Sequence, residues 1–117
     1  MTNEEISFLK NLGFKPTMTR HETKHEITIY TKEIWANGRH FNYYDISIWH
    51  TPSGYRFKIG WGNVFIGLIG GANVKQTYLM ALQQQHDLIN AAWQNMTALK
   101  DVNNQLMEIE KHESSNS

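Results

Sequence analysis

Between His25 and Gly70 the hydrophobic pattern repeats every second residue, as expected for β-strands that bury one face. Apolar residues alternate with polar ones from Ile27 and again from Ile46. Three turn signals divide the stretch: Asn37-Gly38, Thr51-Pro52-Ser53-Gly54 and Gly62-Asn63. This pattern predicts four antiparallel strands connected as a meander.

The turns also predict the register of that sheet. Asn37-Gly38 suits a two-residue type I′ loop, because both residues tolerate positive φ. The predicted pairs are Ile27–Ile48, Ile29–Ile46, His50–Tyr55, Ile48–Phe57, Ile46–Ile59, Ile59–Ile66 and Phe57–Leu68. The aliphatic side chains of these pairs then share one face of the sheet.

Helical patterns lie on both sides of the strands. Thr2 and Glu5 form a capping box, and Gly13 ends a helix predicted from about Asn3 to Leu12. Asn73 is the predicted N-cap of a long helix. Its apolar stripe comprises Leu79, Leu82, His86, Ile89, Trp93 and Met96, and its other face is rich in amides. The predicted fold is α+β, in the order α-ββββ-α, with the long helix packed on the aliphatic face.

The second half of the long helix carries a seven-residue repeat. Its members are Leu82, Ile89, Ala92, Met96, Leu99, Asn103 and Leu106. Apolar heptads with one Asn in the seam are typical of two-stranded coiled coils. We therefore expect a single domain over residues 1–112, a coiled-coil extension over 97–112 and a disordered tail over 113–117. A homodimer through residues 82–110 is one hypothesis, and a helix that ends after Thr97 or folds back is the other.

Composition narrows the functional classes. The chain has 117 residues, 11 basic and 11 acidic side chains, and no Cys. Zero net charge disfavours coating of nucleic acid by bulk charge, and the missing Cys excludes thiolate zinc sites and cysteine nucleophiles. The apolar run at 59–72 is shorter than the ~20 residues that span a bilayer. With no basic start followed by an apolar run, we expect a cytoplasmic protein and no membrane role.

The histidines suggest a metal site that the context disfavours. His21-Glu22-x-x-His25 matches the zincin motif, which requires both His on one face of a helix. Here the match lies between a Pro-containing loop and a predicted strand, so we interpret it as fortuitous. The predicted register also sets His25 opposite His50, near Tyr55. His21, His25 and His50 are thus weak metal candidates, and neither a metal nor a cofactor is expected.

The second face of the predicted sheet carries the candidate binding residues. It alternates aromatic and basic side chains: Tyr30, Lys32, Tyr43, Trp49, Arg56, Lys58 and Phe65. Flat aromatics beside cations suit either base stacking or a protein-binding hot spot. Ordinary cross-strand pairs would give the same pattern.

These observations favour a small non-enzymatic interaction protein. We predict that it binds a protein partner, such as nucleic-acid machinery, through the aromatic-basic sheet face and the amide-rich helix face. Small cysteine-free chains without a catalytic motif resemble accessory proteins of bacterial viruses, including inhibitors of host defence. The first alternative is a single-stranded DNA- or RNA-binding module, and the second is a metal-dependent hydrolase using His21, Glu22 and His25.

Overall fold

A computed structural model describes residues 1–22, 25–60 and 67–115, which fall into two compact units, Met1–His86 and Asp87–Ser117. The first unit contains a helix, α1, seven strands, a short 3-10 turn and the first turns of a second helix, α2. The strands are β1 (Lys15–Glu22), β2 (His25–Lys32), β3 (Trp35–Ala36), β4 (Arg39–His40), β5 (Ile46–Thr51), β6 (Gly54–Ile59) and β7 (Leu68–Ile69). The helices are α1 (Asn3–Asn11) and α2 (Val74–Ser115), and the 3-10 turn is Asn42–Tyr44.

The main sheet is antiparallel and has five strands in the order β1-β2-β5-β6-β7. This confirms the predicted α+β class with flanking helices and corrects the strand count. β1 was predicted as a polar loop, but it pairs with β2 along its length, with a bulge between Pro16 and Met18. It is an edge strand with mostly exposed side chains, so it lacks the apolar alternation that marks the other strands.

The pairing of β2 with β5 differs from the predicted register. Ile46 lies opposite Lys32 and not Ile29, which is a shift of three residues. The Asn37-Gly38 turn forms as predicted, with positive φ at both residues, but it closes a separate ribbon of β3 and β4. Because the shift is an odd number, it moves every side chain of β2 to the other face relative to β5.

The second and third hairpins follow the predicted register wherever the structure describes them. Thr51–Gly54 closes the β5–β6 hairpin, with His50 opposite Tyr55. The other predicted pairs of that hairpin, Ile48–Phe57 and Ile46–Ile59, are confirmed, and on the opposite face Trp49 pairs with Arg56 and Ser47 with Lys58. Phe57 also lies opposite Leu68, as predicted. The Gly62-Asn63 turn and the Ile59–Ile66 pair lie outside the described residues.

The register shift produces a sheet with apolar clusters on both faces. On the helix side, the buried cluster comprises Leu9, Phe14, Tyr30, Ile46, Ile48, Phe57, Val74 and Ala81. On the other side, Ile27, Ile29 and Trp49 form a second buried cluster. Gly67 lies so close to the Trp49 ring that a Cβ there would be 2.4 Å from the indole, so the backbone itself packs on the ring. The prediction that one face remains exposed is therefore wrong.

The two helices begin where the sequence predicts. The Thr2 hydroxyl accepts from the Glu5 amide, and the Glu5 carboxylate accepts from the Thr2 amide, both at 3.1 Å. The Asn73 side chain accepts from the Gln76 amide at the start of α2. The buried residues of the first turns of α2 are Val74, Thr77 and Ala81. The buried face is therefore displaced from the predicted stripe, in which Leu79 is 61% exposed.

The second unit consists of the remainder of α2. The helix is continuous to Ser115, so the alternative in which it ends after Thr97 or folds back is wrong. Within the described ranges, no helix combines the length and the apolar character needed to cross a membrane.

Candidate functional site

Two of the predicted binding residues are buried. Trp49 is 3% exposed and Tyr30 is 8% exposed. Tyr30 pairs with Ile48 on the helix side of the sheet, whereas Trp49 packs with Ile27 and Ile29 on the opposite side. The register shift separates these two aromatic residues, and burial removes both from any docking surface.

The remaining predicted binding residues do not gather on one face either. Lys32 lies opposite Ile46, on the helix side, while Arg56 and Lys58 share the Trp49 side and are half-buried. Tyr43 belongs to the 3-10 turn and is 71% exposed. Phe65 lies outside the described residues. The single aromatic-basic face expected from the sequence is thus not formed.

The histidines of the zincin-like motif lie on strands. His21 lies opposite Glu26, and His25 lies opposite Glu22, so the two His side chains alternate to opposite faces of the β1–β2 hairpin. The same-face helical geometry of a zincin is therefore absent. His50 contacts Tyr55 with ring centroids 4.5 Å apart, but its place in the register is not opposite His25. Among the described residues, no group of three or more His, Cys, Asp or Glu could hold a metal ion.

A different set of side chains is presented by the segment between β2 and β5. We call residues 33–45 the β2–β5 insert; it contains β3, β4 and the 3-10 turn. Two large aromatic side chains of this insert are exposed, Trp35 at 57% and Tyr43 at 71%. Exposed aromatic side chains on a segment with a well-defined backbone are a candidate interaction site.

Asp45 anchors the insert at its C-terminal end. Its buried carboxylate accepts from the Ile34 amide at 2.8 Å and from His40 Nε2 at 2.8 and 3.1 Å. The backbone carbonyl of Asp45 accepts a hydrogen bond from the Gly60 amide at 2.8 Å. One residue thus joins both ends of the insert to the end of β6.

The Trp35 indole stacks on the ring that Asp45 holds. The centroids of Trp35 and His40 are 5.0 Å apart, and their planes differ by 9°. Trp35 Nε1 donates to the Glu33 carboxylate at 2.8 Å. The Arg39 guanidinium lies 5.5 Å from the centroid of the Phe41 ring. The exposed indole is therefore oriented by a stack on one side chain and a hydrogen bond to another.

Two contacts from outside the insert hold its 3-10 turn. Gln85 Nε2 donates to the Tyr44 carbonyl at 2.8 Å, which gives one of the predicted amide side chains a structural role. Gly60 has a φ of +94°, and a Cβ there would be 3.1 Å from the Tyr43 carbonyl oxygen. Both contacts fix the backbone that carries Tyr43, although its side chain stays exposed.

A second polar cluster joins α1, β6 and the start of α2. Glu5 accepts from the Tyr55 hydroxyl and, at 3.2 Å, from the amide of Val74, the first residue of α2. Burial would raise the pKa of Glu5, but hydrogen bonds from Tyr55, Thr2 and Val74 together lower it. Burial and the neighbouring carboxylate raise the pKa of Tyr55 to about 12.

An open groove of about 440 Å³ lies beside this cluster. Its lining comprises Thr2, Glu4, Glu5, Phe8, Tyr55, Asn73, Val74 and Lys75. Both carboxylate oxygens of Glu5 already have partners within the protein, and one of these partners is a helix N-terminus. We therefore interpret Glu5 and Tyr55 as a structural junction between the helices and the sheet.

Sequence reasoning missed Trp35 and His40, although a signal for them was present. A two-residue loop at Asn37-Gly38 pairs Ala36 with Arg39 and consequently Trp35 with His40. The role of Asp45 had no such signal, because it depends on where the chain returns after the turn. Comparison of the chain with protein-family models, curated proteins and solved structures finds no match.

Proposed function

We propose that this chain is a non-enzymatic binding module that engages a partner protein through the β2–β5 insert. The observation that carries the proposal is an indole that is 57% exposed and yet held, by its stack on His40 and by the contact of His40 with Asp45. Trp, Tyr and Arg are the residues most enriched at binding hot spots, and the insert presents Trp35, Arg39 and Tyr43. Because the indole is already oriented, binding loses little side-chain entropy.

Charge favours a protein partner over nucleic acid. The insert contains two acidic side chains, Glu33 and Asp45, and one basic side chain, Arg39. Nucleic-acid binding depends on neutralising phosphates with several cations, and the insert does not supply them. A role as an accessory protein or inhibitor, in which a small chain acts by occupying a partner's surface, agrees with this proposal.

The test compares an insert variant with a matched surface variant. The partner is first identified by affinity capture with the tagged chain, and its dissociation constant is then measured with purified proteins. The double variant Trp35→Ala/Tyr43→Ala should weaken binding by about 100-fold or more, as expected for the loss of two hot-spot residues. Ile69→Ala removes a side chain that is 73% exposed outside the insert and should leave binding within about threefold. Equal losses in the two variants would refute the proposal.

Single-stranded nucleic-acid binding is distinguished in the same series. Arg56 and Lys58 share one face of the sheet and would carry that alternative. Anisotropy with a labelled single-stranded oligonucleotide should show no binding at physiological salt. Binding that weakens steeply with salt and is reduced by Arg56→Ala/Lys58→Ala would replace the protein-partner proposal with the nucleic-acid one.

A further inference from the structure

Residues 88–109 of α2 expose an apolar stripe. Nine large apolar side chains in this segment are 40% to 68% exposed. They are Leu88, Ile89, Trp93, Met96, Leu99, Val102, Leu106, Met107 and Ile109. Together they present on the order of 800 Å² of surface, which is what each partner buries in a standard stable interface and exceeds the usual patch on a monomer.

The stripe occupies one side of the helix. At ~100° per residue, the apolar positions cover an arc of about 200°. The opposite arc is polar and comprises Asn90, Gln94, Thr97, Asp101, Asn104, Gln105 and Glu108. A helix that lies on a membrane surface carries Lys and Arg on its polar face, but residues 87–115 contain five acidic side chains and two basic ones. The chemistry of this helix therefore fits another helix better than a lipid surface.

The heptad positions of these residues indicate which helix would pack against the stripe. Ile89, Met96 and Asn103 fall at position a, while Ala92, Leu99 and Leu106 fall at position d. A buried Asn requires a hydrogen-bonding partner, and in a parallel two-stranded coiled coil the Asn at position a meets its own copy. The side chain of Asn103 would thus find its hydrogen-bonding partner in the Asn103 of a second copy.

The flanking positions are also self-complementary. Charged residues at positions e and g normally select a different partner, yet Lys100 is the one charge there between Leu88 and Ile109. In a parallel pair, Leu88 at g lies beside Trp93 at e of the second copy, and Val102 lies beside Met107 in the same way. Apolar flanks therefore meet apolar flanks without repulsion between like charges.

We infer that residues 88–109 pair in parallel with the same segment of a second copy of this chain. The product is a two-stranded coiled coil in which the two Asn103 side chains meet across the axis. This inference is independent of the proposed partner-binding role of the insert. It would make each assembly bivalent, with two inserts per particle.

The first experiment measures mass in solution by light scattering over a range of protein concentrations. The wild-type chain should have twice its 13.6 kDa mass. Leu99→Asp places a charge in the seam and should weaken self-association at least ~100-fold, giving a monomer. Gln105→Asp adds the same charge on the polar arc and should remain a dimer. A monomeric wild type, a larger oligomer or equal loss in both variants would overturn the inference.

The second experiment tests the orientation of the two helices. Because the chain has no Cys, a single introduced Cys can form a disulfide only with the same Cys of a second copy. Leu106→Cys at position d should form a disulfide-linked dimer on mild oxidation, whereas Asp101→Cys on the polar arc should cross-link far more slowly. An antiparallel pair would instead cross-link a mixture of Leu106→Cys and Ile89→Cys and leave Leu106→Cys alone unlinked, which would refute the parallel arrangement.

Discussion

The two units of this chain differ in how far they bury similar apolar side chains. In the first unit, Trp49 is 3% exposed, since Ile27 and Ile29 pack beside it and Gly67 lies against its ring. In the second unit, Trp93 is 65% exposed on a single helix. A sheet flanked by helices buries apolar surface between its layers, whereas a helix taken by itself has no second layer. The first unit can therefore be stable alone, and the second is the part of the chain that the inferred dimer would stabilise.

The largest expected effect compares these two indoles directly. Trp49→Ala should reduce the free energy of unfolding of the first unit by ~3–5 kcal/mol, because it leaves a cavity beside two buried Ile side chains. Trp93→Ala should change that quantity by less than ~0.5 kcal/mol, as for an exposed site. Amide hydrogen exchange in the sheet, measured at increasing urea concentrations, gives the free energy of unfolding of the first unit in both variants. Similar destabilisation by the two substitutions would show that the first unit is not stable by itself.

A smaller effect is expected where the β2–β5 insert is anchored. Asp45→Ala leaves the Ile34 amide and the His40 ring without their acceptor and should cost ~1–3 kcal/mol of unfolding free energy. The matched control is Glu33→Ala, which removes an exposed acceptor of the Trp35 indole and should cost at most ~0.5 kcal/mol. Thermal unfolding at neutral pH measures both variants, and an equally mild Asp45→Ala would show that the insert is held mainly by its other contacts.

The smallest expected effect concerns the junction of the helices with the sheet. At pH 7, Glu5→Gln should cost ~0.5–1.5 kcal/mol, because charge-assisted hydrogen bonds to Tyr55 and Val74 become neutral ones. The pKa of Glu5 is lowered in the folded state, so its stabilisation is present above the unfolded pKa. This stabilisation is lost as the pH falls through the folded pKa.

The difference between wild type and Glu5→Gln should therefore disappear on acidification. Urea titrations from pH 7 to pH 2.5 measure it, with Glu4→Gln as the control for removing a nearby charge. On the alkaline side, the raised pKa of Tyr55 predicts that stability falls as the pH rises from about 10 towards about 12, because the unfolded state releases its proton first. A constant difference between wild type and Glu5→Gln at all pH values would contradict a role for the carboxylate charge.

Local signals were sufficient for part of the fold. The capping box of Thr2 and Glu5, the Asn37-Gly38 turn and the β5–β6 register all follow from a few adjacent residues, and all are confirmed. The strand β1 was missed because an edge strand with solvated side chains has no apolar alternation. The candidate site could be predicted only in part. The pairing of Trp35 with His40 follows from the turn, but the exposure of the indole does not.

The start of each helix and the short loops of the hairpins follow from the amino-acid sequence alone, because they depend on capping groups and turn residues a few positions apart. The register between β2 and β5, in contrast, depends on long-range packing. The chain between them forms the β3–β4 ribbon and the 3-10 turn, and no local rule predicts how many residues this insert takes up. With that three-residue difference Trp49 and Tyr30 are buried, and Trp35 and Tyr43 are the large aromatic side chains exposed among the described residues of the first unit.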